Sequence, residues 1–507
     1  MKIIKITILS AFVLASLNSN ADRTVVDVQA KENYQQKVLD TVNQAKQIYS
    51  SCKSIGSNEV VNTNCETKSF PVRAQLTTSI DLPEAITEDD FFNFPQNKVE
   101  LGKFLFFDKI LSGNMNISCA SCHHPMAGTG DGLALPVGEG GNGLGITRDT
   151  GYMEDAVHER VPRNAPHIFN LGAKHFDVMF HDGRVMEDAS QPSGFISPAG
   201  DDLPMGLDNA LAVQAMFPVT SATEMAGQEG ENPVASATAV GNLAGTGGVW
   251  EILAGRIKGI DEYVDMFKDV YADVNSKDDI TMVHIANAIG AFEGAVWRAF
   301  NSPFDQYLNG DEGAMSPNQI EGMNLFFGEA GCSGCHGGKF LTDNSFQSIG
   351  MPQIGPGKGD NLPGFNDGLD DFGRERETGS SEDRYRFRVP TARNALLTGP
   401  WGHAGAYNDL RQAVVHHLNP AEALNNYDET QNIMPYRRDL SSLDYAVMND
   451  EYSRNALLSN LDIENVNLSE QQIDRIMDFL DAATDRNSID LRNNFPLTVP
   501  SGLPVFD

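Results

Sequence analysis

The sequence predicts a mainly α-helical protein with long loops, in which two similarly built domains follow one another. Three observations carry this. The pentapeptide Cys119-Ala120-Ser121-Cys122-His123 returns as Cys332-Ser333-Gly334-Cys335-His336. An apolar stretch ending in aromatic residues precedes each copy, Val99–Asp108 before the first and Ile320–Gly328 before the second. A Val-Pro…Arg-Asn stretch follows each copy, as Val161-Pro162-Arg163-Asn164 and as Val389-Pro390-Thr391-Ala392-Arg393-Asn394. Features that recur in one order mark tandem structural units.

Each pentapeptide reads Cys-x-x-Cys-His. At such a sequence two thiols join the vinyl groups of a haem and the next histidine becomes its proximal iron ligand. One helical turn separates the thiols, so both reach one porphyrin edge. A redox dithiol or half of a zinc site explains the cysteine pairs but not a histidine directly after both. The expected architecture is therefore two tandem cytochrome c-like domains, each around one covalently bound haem. Cys119, Cys122 and His123 serve the first, and Cys332, Cys335 and His336 the second.

Four of the six cysteines are used in this way. Cys52 and Cys65 remain, neither followed by histidine, and in an oxidising compartment they are expected to pair as a disulfide. The N-terminus fits export. Lys2 and Lys5 precede an apolar run from Ile6 to Leu17, and Ser19-Asn20-Ala21 suits cleavage, so residues 1–21 read as a signal peptide. A retained anchor is the alternative, although the run is short for a membrane span. Haem attachment of this type belongs to the far side of the bacterial inner membrane, so the expected location is the periplasm. A formal charge of −32 over 507 residues argues against nucleic acid and anionic membranes as partners. Solubility alone explains the acidity equally well.

Taken in order, residues 22–90 form a polar extension with a helix expected around Val25–Lys53. The first haem domain spans 91–300 and closes with a helix over His284–Phe300. Asn301-Ser302-Pro303 marks the boundary. The second haem domain spans 301–507. Its closing helix, Leu468–Ala483, opens with Ser469 three residues before Gln472, a capping-box pattern. The acidic run Asp360–Asp371 lacks EF-hand spacing and reads as a solvated loop.

Over residues 91–485 the chain resembles the bacterial dihaem cytochrome c peroxidases, a family that includes the MauG-like dihaem oxidases. The resemblance rests on Val99–Asp108, Pro162-Arg163-Asn164-Ala165-Pro166, Phe180–Arg184, Gln214…Pro218…Glu224-Met225 and Val389–Asn394, which occur in the family's order. It implies that the first haem is peroxidatic and the second takes in electrons. It also implies that Glu224 is the catalytic carboxylate shuttling a proton between peroxide oxygens. Gln214 would be a distal hydrogen-bond donor and Pro218 a shaping residue.

Many members block the first iron with a histidine that leaves when the second haem is reduced. His158 lies near its place, with His167 and His124 as competitors. At the second haem, fourteen residues on from His403 falls His417, where peroxidases carry an axial methionine and the oxidases a tyrosine. His416 is adjacent, the two side chains diverge by about 100° on a helix over Leu410–Leu418, and only one can face the iron. Met434 is a distant alternative. A histidine there lowers the reduction potential relative to methionine. The tryptophan that many relatives place between the haems is replaced by His181, Trp401 is another route, and Trp250 and Trp297 are expected in the core. Relatives also bind calcium between the domains, and Asn164, Thr398 and Pro400 match those places.

The resemblance implies a periplasmic peroxidase that reduces hydrogen peroxide to water. Its electrons would come from a small donor such as a cytochrome c or cupredoxin. A MauG-like oxidase acting on a partner protein and a non-enzymatic dihaem electron carrier are the other readings. Dimers are common among relatives, so a homodimer is a further expectation.

Overall fold

The computed structural model describes residues 80–152, 156–358 and 369–506. The signal peptide, the helix at Val25–Lys53 and the Cys52–Cys65 disulfide lie outside them. The site is framed by helices α1 (Gln96–Phe107), α2 (Cys119–Cys122), α3 (Ala210–Gln214), α4 (Met282–Val296), α5 (Pro317–Phe326), α6 (Leu410–Leu418) and α7 (Glu470–Ala482). Strand is scarce among the described residues. An antiparallel ribbon β1 (Val178–Met179), β2 (Val185–Glu187) and β3 (Phe195–Ile196) belongs to the first half, and the pair β4 (Phe346–Gln347), β5 (Phe387–Arg388) to the second.

One helix crossing occurs twice. α1 packs on α4, and α5 packs on α7. In the first crossing Gly102 lies so close to the partner that a Cβ would overlap the Ala288 carbonyl oxygen. In the second, a Cβ on Gly322 would overlap the Arg475 carbonyl oxygen. One turn beyond each glycine an aromatic trio locks the crossing. Phe106 meets Phe107 and Phe292 at centroid distances of 5.4 and 5.3 Å, and Phe326 meets Phe327 and Phe479 at 5.3 and 4.9 Å. Such tilted pairs add to the area they bury. The aromatic residues read from the sequence before each haem motif are therefore core residues of each crossing. Two apolar cores result, one built on α1, α3 and α4 and the other on α5 and α7.

The caps follow the sequence closely. Ser469 and Gln472 form the expected capping box on α7. α6 spans the expected Leu410–Leu418. The helix expected at His284–Phe300 instead starts at Met282, behind a Thr281–His284 capping box, and stops at Val296. It stops because Asn170 competes for the next backbone groups. The Asn170 N–H donates to Trp297 O at 3.0 Å, and its side chain bonds Ala299 N and Ala299 O at 2.7 and 2.8 Å. Trp250 and Trp297 are core residues, as expected, at 4% and 2% exposure.

Charged pairs join the two halves. Arg163 donates to Asp371 through Nε and Nη2 at 2.6 and 2.8 Å and to Asp182 through Nη1 at 2.5 Å, all buried. Arg160 makes a buried two-pronged contact with Asp444 at 2.6 and 2.8 Å. The C-terminal segment returns to the first core, where Phe495 and Leu503 pack and the Ser501 hydroxyl donates to Asp108 at 2.6 Å.

Candidate functional site: two Cys-x-x-Cys-His turns

Both motifs close a turn from the first cysteine to the histidine, the first as a short α-helix and the second as a 3-10 turn over Cys332–Gly334. Ser118 starts α2 with a capping box to Ser121, and the His123 N–H closes the turn on Cys119 O at 2.9 Å. In the second motif the His336 N–H closes on Cys332 O, also at 2.9 Å. Each ring is then oriented by a carbonyl. His123 Nδ1–H donates to Thr129 O at 3.2 Å and His336 Nδ1–H to Leu341 O at 3.4 Å. That fixes the tautomer and leaves Nε2 of each imidazole as a free lone pair, the state a metal-ligating histidine requires. Burial lowers both imidazoles, His336 to about 4. The four thiols are unpaired, and burial pushes them up, Cys122 and Cys332 to about 12.

Cys119, Cys122 and His123 open onto a cavity with about 1350 Å³ of empty space, part of it open to solvent. Leu111, Ile117, Ile168, Met179, Phe180, Leu211, Val219 and Ile289 give it apolar walls. Gln214, Pro218 and Glu224 line it as well, so the three residues expected on the distal side share the cavity with the motif. Gln214 ends α3, Pro218 opens a 3-10 turn, and Glu224 sits within the π-helical turn Ala222–Ala226. Single π turns recur at functional sites because they re-aim one side chain. The turn is wedged from behind, since a Cβ on Gly138 or Gly113 would overlap Thr223 O or Ala226 O. Burial raises the Glu224 carboxyl above its usual range, partly offset by Arg184 and Lys358.

Lys358, Arg388 and Glu293 also line this cavity, and the motif reading gave none of them a role there. Lys358 sits 3.2 Å from Asp182, and burial and Arg184 lower it to about 8. Arg388 is lowered to about 10 by burial, and its guanidinium donates to Phe180 O and Asn344 Oδ1. Glu293 had a visible signal, as the one acidic residue in the largely apolar α4. Lys358 and Arg388 had none, because they arrive from the second half of the chain.

The other histidines separate by geometry. His417 faces His336 with ring centroids 6.1 Å apart, and its Nδ1–H donates to Ala413 O at 2.7 Å. Two imidazoles sharing one metal ion through Nε2, each at about 2 Å, have centroids about 6 Å apart. The pair thus fits a group held between them. His416 points the other way with both nitrogens engaged, Nδ1 with the Tyr407 hydroxyl at 2.9 Å and Nε2 with Ile349 O at 2.8 Å. Met434 packs in a separate apolar cluster with Met351 and Tyr407.

His158, His167 and His124 are not among the residues lining the first cavity. His158 is exposed, 3.8 Å from Glu231. His167 donates to Gly128 O at 2.8 Å, and His124 accepts from Met126 N–H at 3.2 Å. His181 does line it, donating through Nε2 to Asn164 O at 3.0 Å, while its carbonyl accepts from Arg388 N at 2.7 Å. Trp401 lies half-buried against the second core, with its indole N–H on Ala395 O. The Asn164 amide donates to Leu133 O and Ala134 O at 2.9 and 3.1 Å. The Thr398 carbonyl faces His167. Among the described residues no group of three or more His, Cys, Asp or Glu side chains is placed to hold a metal ion.

The profile of the di-haem cytochrome c peroxidase family matches residues 96–313. Methylamine utilization protein MauG of Methylorubrum extorquens is 27% identical over 352 residues, covering 69% of this chain and 76% of that protein. The cytochrome c551 peroxidase of Pseudomonas aeruginosa is 27% identical over 333 residues, 66% of this chain and 75% of its own length. A crystal structure of a MauG-like protein associated with microbial copper homeostasis superposes with a TM-score of 0.51 at 22% identity, covering 82% of this chain and 97% of that one. Residues 96–313 thus match the di-haem cytochrome c peroxidase family, and the similarity to these two relatives runs along about two thirds of this chain and three quarters of theirs.

Proposed function

We propose that the protein is a periplasmic peroxidase of two cytochrome c-like domains, about 91–300 and 301–507, that reduces hydrogen peroxide to water. The family implies two haems c, and the two motifs supply their four thioether sulfurs and proximal histidines. The observation that carries the reading is the meeting of Glu224 with Cys119, Cys122 and His123 in one largely apolar cavity. Haem bound there supplies an iron that binds an oxygen of peroxide and passes on electrons. Glu224 takes the proton from the peroxide oxygen nearest the iron and delivers it to the departing oxygen, which leaves as water. Gln214 donates a hydrogen bond to the bound oxygens, and Pro218 holds the turn that aims Glu224. Overall, hydrogen peroxide, two electrons and two protons give two waters.

In the second domain, His336 and His417 would hold the other haem, and His416 braces α6 through Tyr407 and Ile349. A bis-histidine haem has a lower potential than a histidine–methionine one. Electrons would enter at that haem from a small cytochrome c or cupredoxin, and His181, which lines the first cavity, would stand where they pass to the first. His158, exposed beside Glu231 and not among the residues lining the cavity, would be the histidine that leaves the first iron on activation. A calcium ion between the domains would draw on the Asn164 side chain and the Thr398 and Pro400 carbonyls, neutral oxygen donors of the type that ion takes. Export by residues 1–21 and a homodimer complete the reading. No helix among the described residues is long and apolar enough to cross a membrane.

The second reading, oxidation of a partner protein, is favoured by the similarity to MauG over 76% of its length. Peroxide consumption by the holoprotein with a reduced small cytochrome c separates the two. Peroxide loss matched by donor oxidation, falling about 10²–10⁴-fold in Glu224→Gln, supports the peroxidase. Wild-type turnover in Glu224→Gln, or a long-lived oxidised haem spectrum with the donor still reduced, overturns it.

A further inference from the structure

Glu293 belongs to the first haem cavity, yet the peroxide chemistry above gives it no task. It is 5% exposed, it lines the cavity beside Ile289, and its Oε2 has no hydrogen-bond partner. The first Cys-x-x-Cys-His turn lies within its electrostatic reach, since Glu293 acts on Cys119. It does not touch the iron ligand's hydrogen bonds, because His123 is held by the carbonyls of Thr129 and Pro166.

Among the described residues, no cation on the surrounding elements faces it. On α1, Lys98 pairs with Asp208 at 2.5 Å, and Glu100 and Lys103 pair with each other at 3.7 Å at the surface. α3 carries no charged residue. On the helix Val249–Lys258, Arg256 donates to the carbonyls of Ile110, Ser112 and Gly113, Lys258 donates to Asp278 O, and Glu251 accepts from Gly247 N. Across the cavity, Arg163, Arg184 and Lys358 are bound to Asp182, Arg388 to Phe180 O, and Glu224 sits in its π turn. A carboxyl so placed is neutral unless a positive charge appears beside it. Burial alone raises Glu293 to about 8. The positive charge that can appear in this cavity is that of an oxidised iron.

We propose that Glu293 is the proton-releasing group that balances charge when the haem at Cys119-Cys122-His123 is oxidised. The inference rests on that motif carrying haem. One electron leaves the iron for the oxidant, one proton leaves the Glu293 carboxyl for solvent, and the net charge of the cavity is unchanged. On reduction both return. An oxidising equivalent at the first haem is thereby stabilised without a permanent buried anion.

The test is potentiometric titration of the holoprotein against redox mediators from pH 5 to 9, after haem content has been counted. Absence of haem at the first motif would overturn the functional reading and, with it, this role for Glu293. With two haems present, the first-haem reduction constant should fall tenfold per pH unit, 59 mV for one electron, where oxidation releases the proton. In Glu293→Gln that slope should vanish, while in Asp131→Asn it should stay. Asp131 is the control because it is a buried carboxyl near this motif that the peroxide chemistry does not use, beside Cys122 and raised to about 7. A slope equal to wild type in Glu293→Gln overturns the proposal, as does a flat wild type. Redox-difference infrared spectra of the wild type keep the question open to refutation if that variant does not fold. Oxidation must bleach a protonated-carboxyl band that shifts in D₂O, and no such band overturns the assignment.

Discussion

Arg163→Gln is the perturbation whose cost can be worked most directly from the structure. The guanidinium is 7% exposed, between Asp182 at 0% and Asp371 at 3%. Without it Asp182 keeps Arg184 and Lys358. Asp371 keeps only the Gly373 N–H on its carboxylate, at 3.0 Å. Burial alone would raise the Asp371 carboxyl, but the charge and hydrogen bonds of Arg163 hold it down at about 2. Against an ordinary aspartate that difference is worth about 2 kcal/mol. Because the folded value lies below the unfolded one, this stability is present above about pH 4 and is lost as pH falls towards 2. Removing the arginine also strands a buried charge, so the loss at pH 7 should be about 3–5 kcal/mol. The variant's pH dependence has the opposite sign. Its Asp371, raised by burial, is most easily folded when protonated, so the gap to wild type narrows from pH 7 to pH 4. Denaturant unfolding followed by far-ultraviolet circular dichroism at several pH values reads both effects. A loss under 1 kcal/mol at pH 7, or a gap independent of pH, would show that the Arg163 clamp is not what joins the halves.

His417→Met should raise the reduction potential of the second haem, measured by spectroelectrochemistry, whereas His416→Asn should leave its ligation spectrum unchanged. Gly102→Ala and Gly322→Ala should each destabilise by about 1–3 kcal/mol or more in thermal unfolding, because the added methyl meets a backbone carbonyl rather than a flexible side chain. The acid limb of kcat/KM for peroxide should reflect Glu224, which works ionised. Activity should fall as pH drops through a value above the usual carboxylate range, and Glu224→Gln should lose that limb.

The local chemistry was legible in the chain. Cys-x-x-Cys-His needs only one turn of backbone to bring its sulfurs and ring together, so spacing sufficed for Cys119–His123 and Cys332–His336. The same holds for the Ser469–Gln472 box and for the limits of α6. The divergence of His416 from His417 was also fixed by helical pitch. Which of them faces His336 was not, since that depends on how α6 is rotated against the rest of the second half. Met434, an alternative in the sequence, proved to sit in another cluster for the same reason.

What only the tertiary structure decided is the company each charge keeps. Lys358 and Arg388 reach the first haem's cavity from more than a hundred residues away, and Phe495 and Ser501 return to the first core at the chain's end. The early stop of α4 came from Asn170, remote in sequence and adjacent in space. Sequence determines what a turn can bind because the geometry within a turn is covalent and local. It leaves open what a cavity does with its acids and bases. Their ionisation is set by desolvation and by partners that only folding brings within a few ångströms.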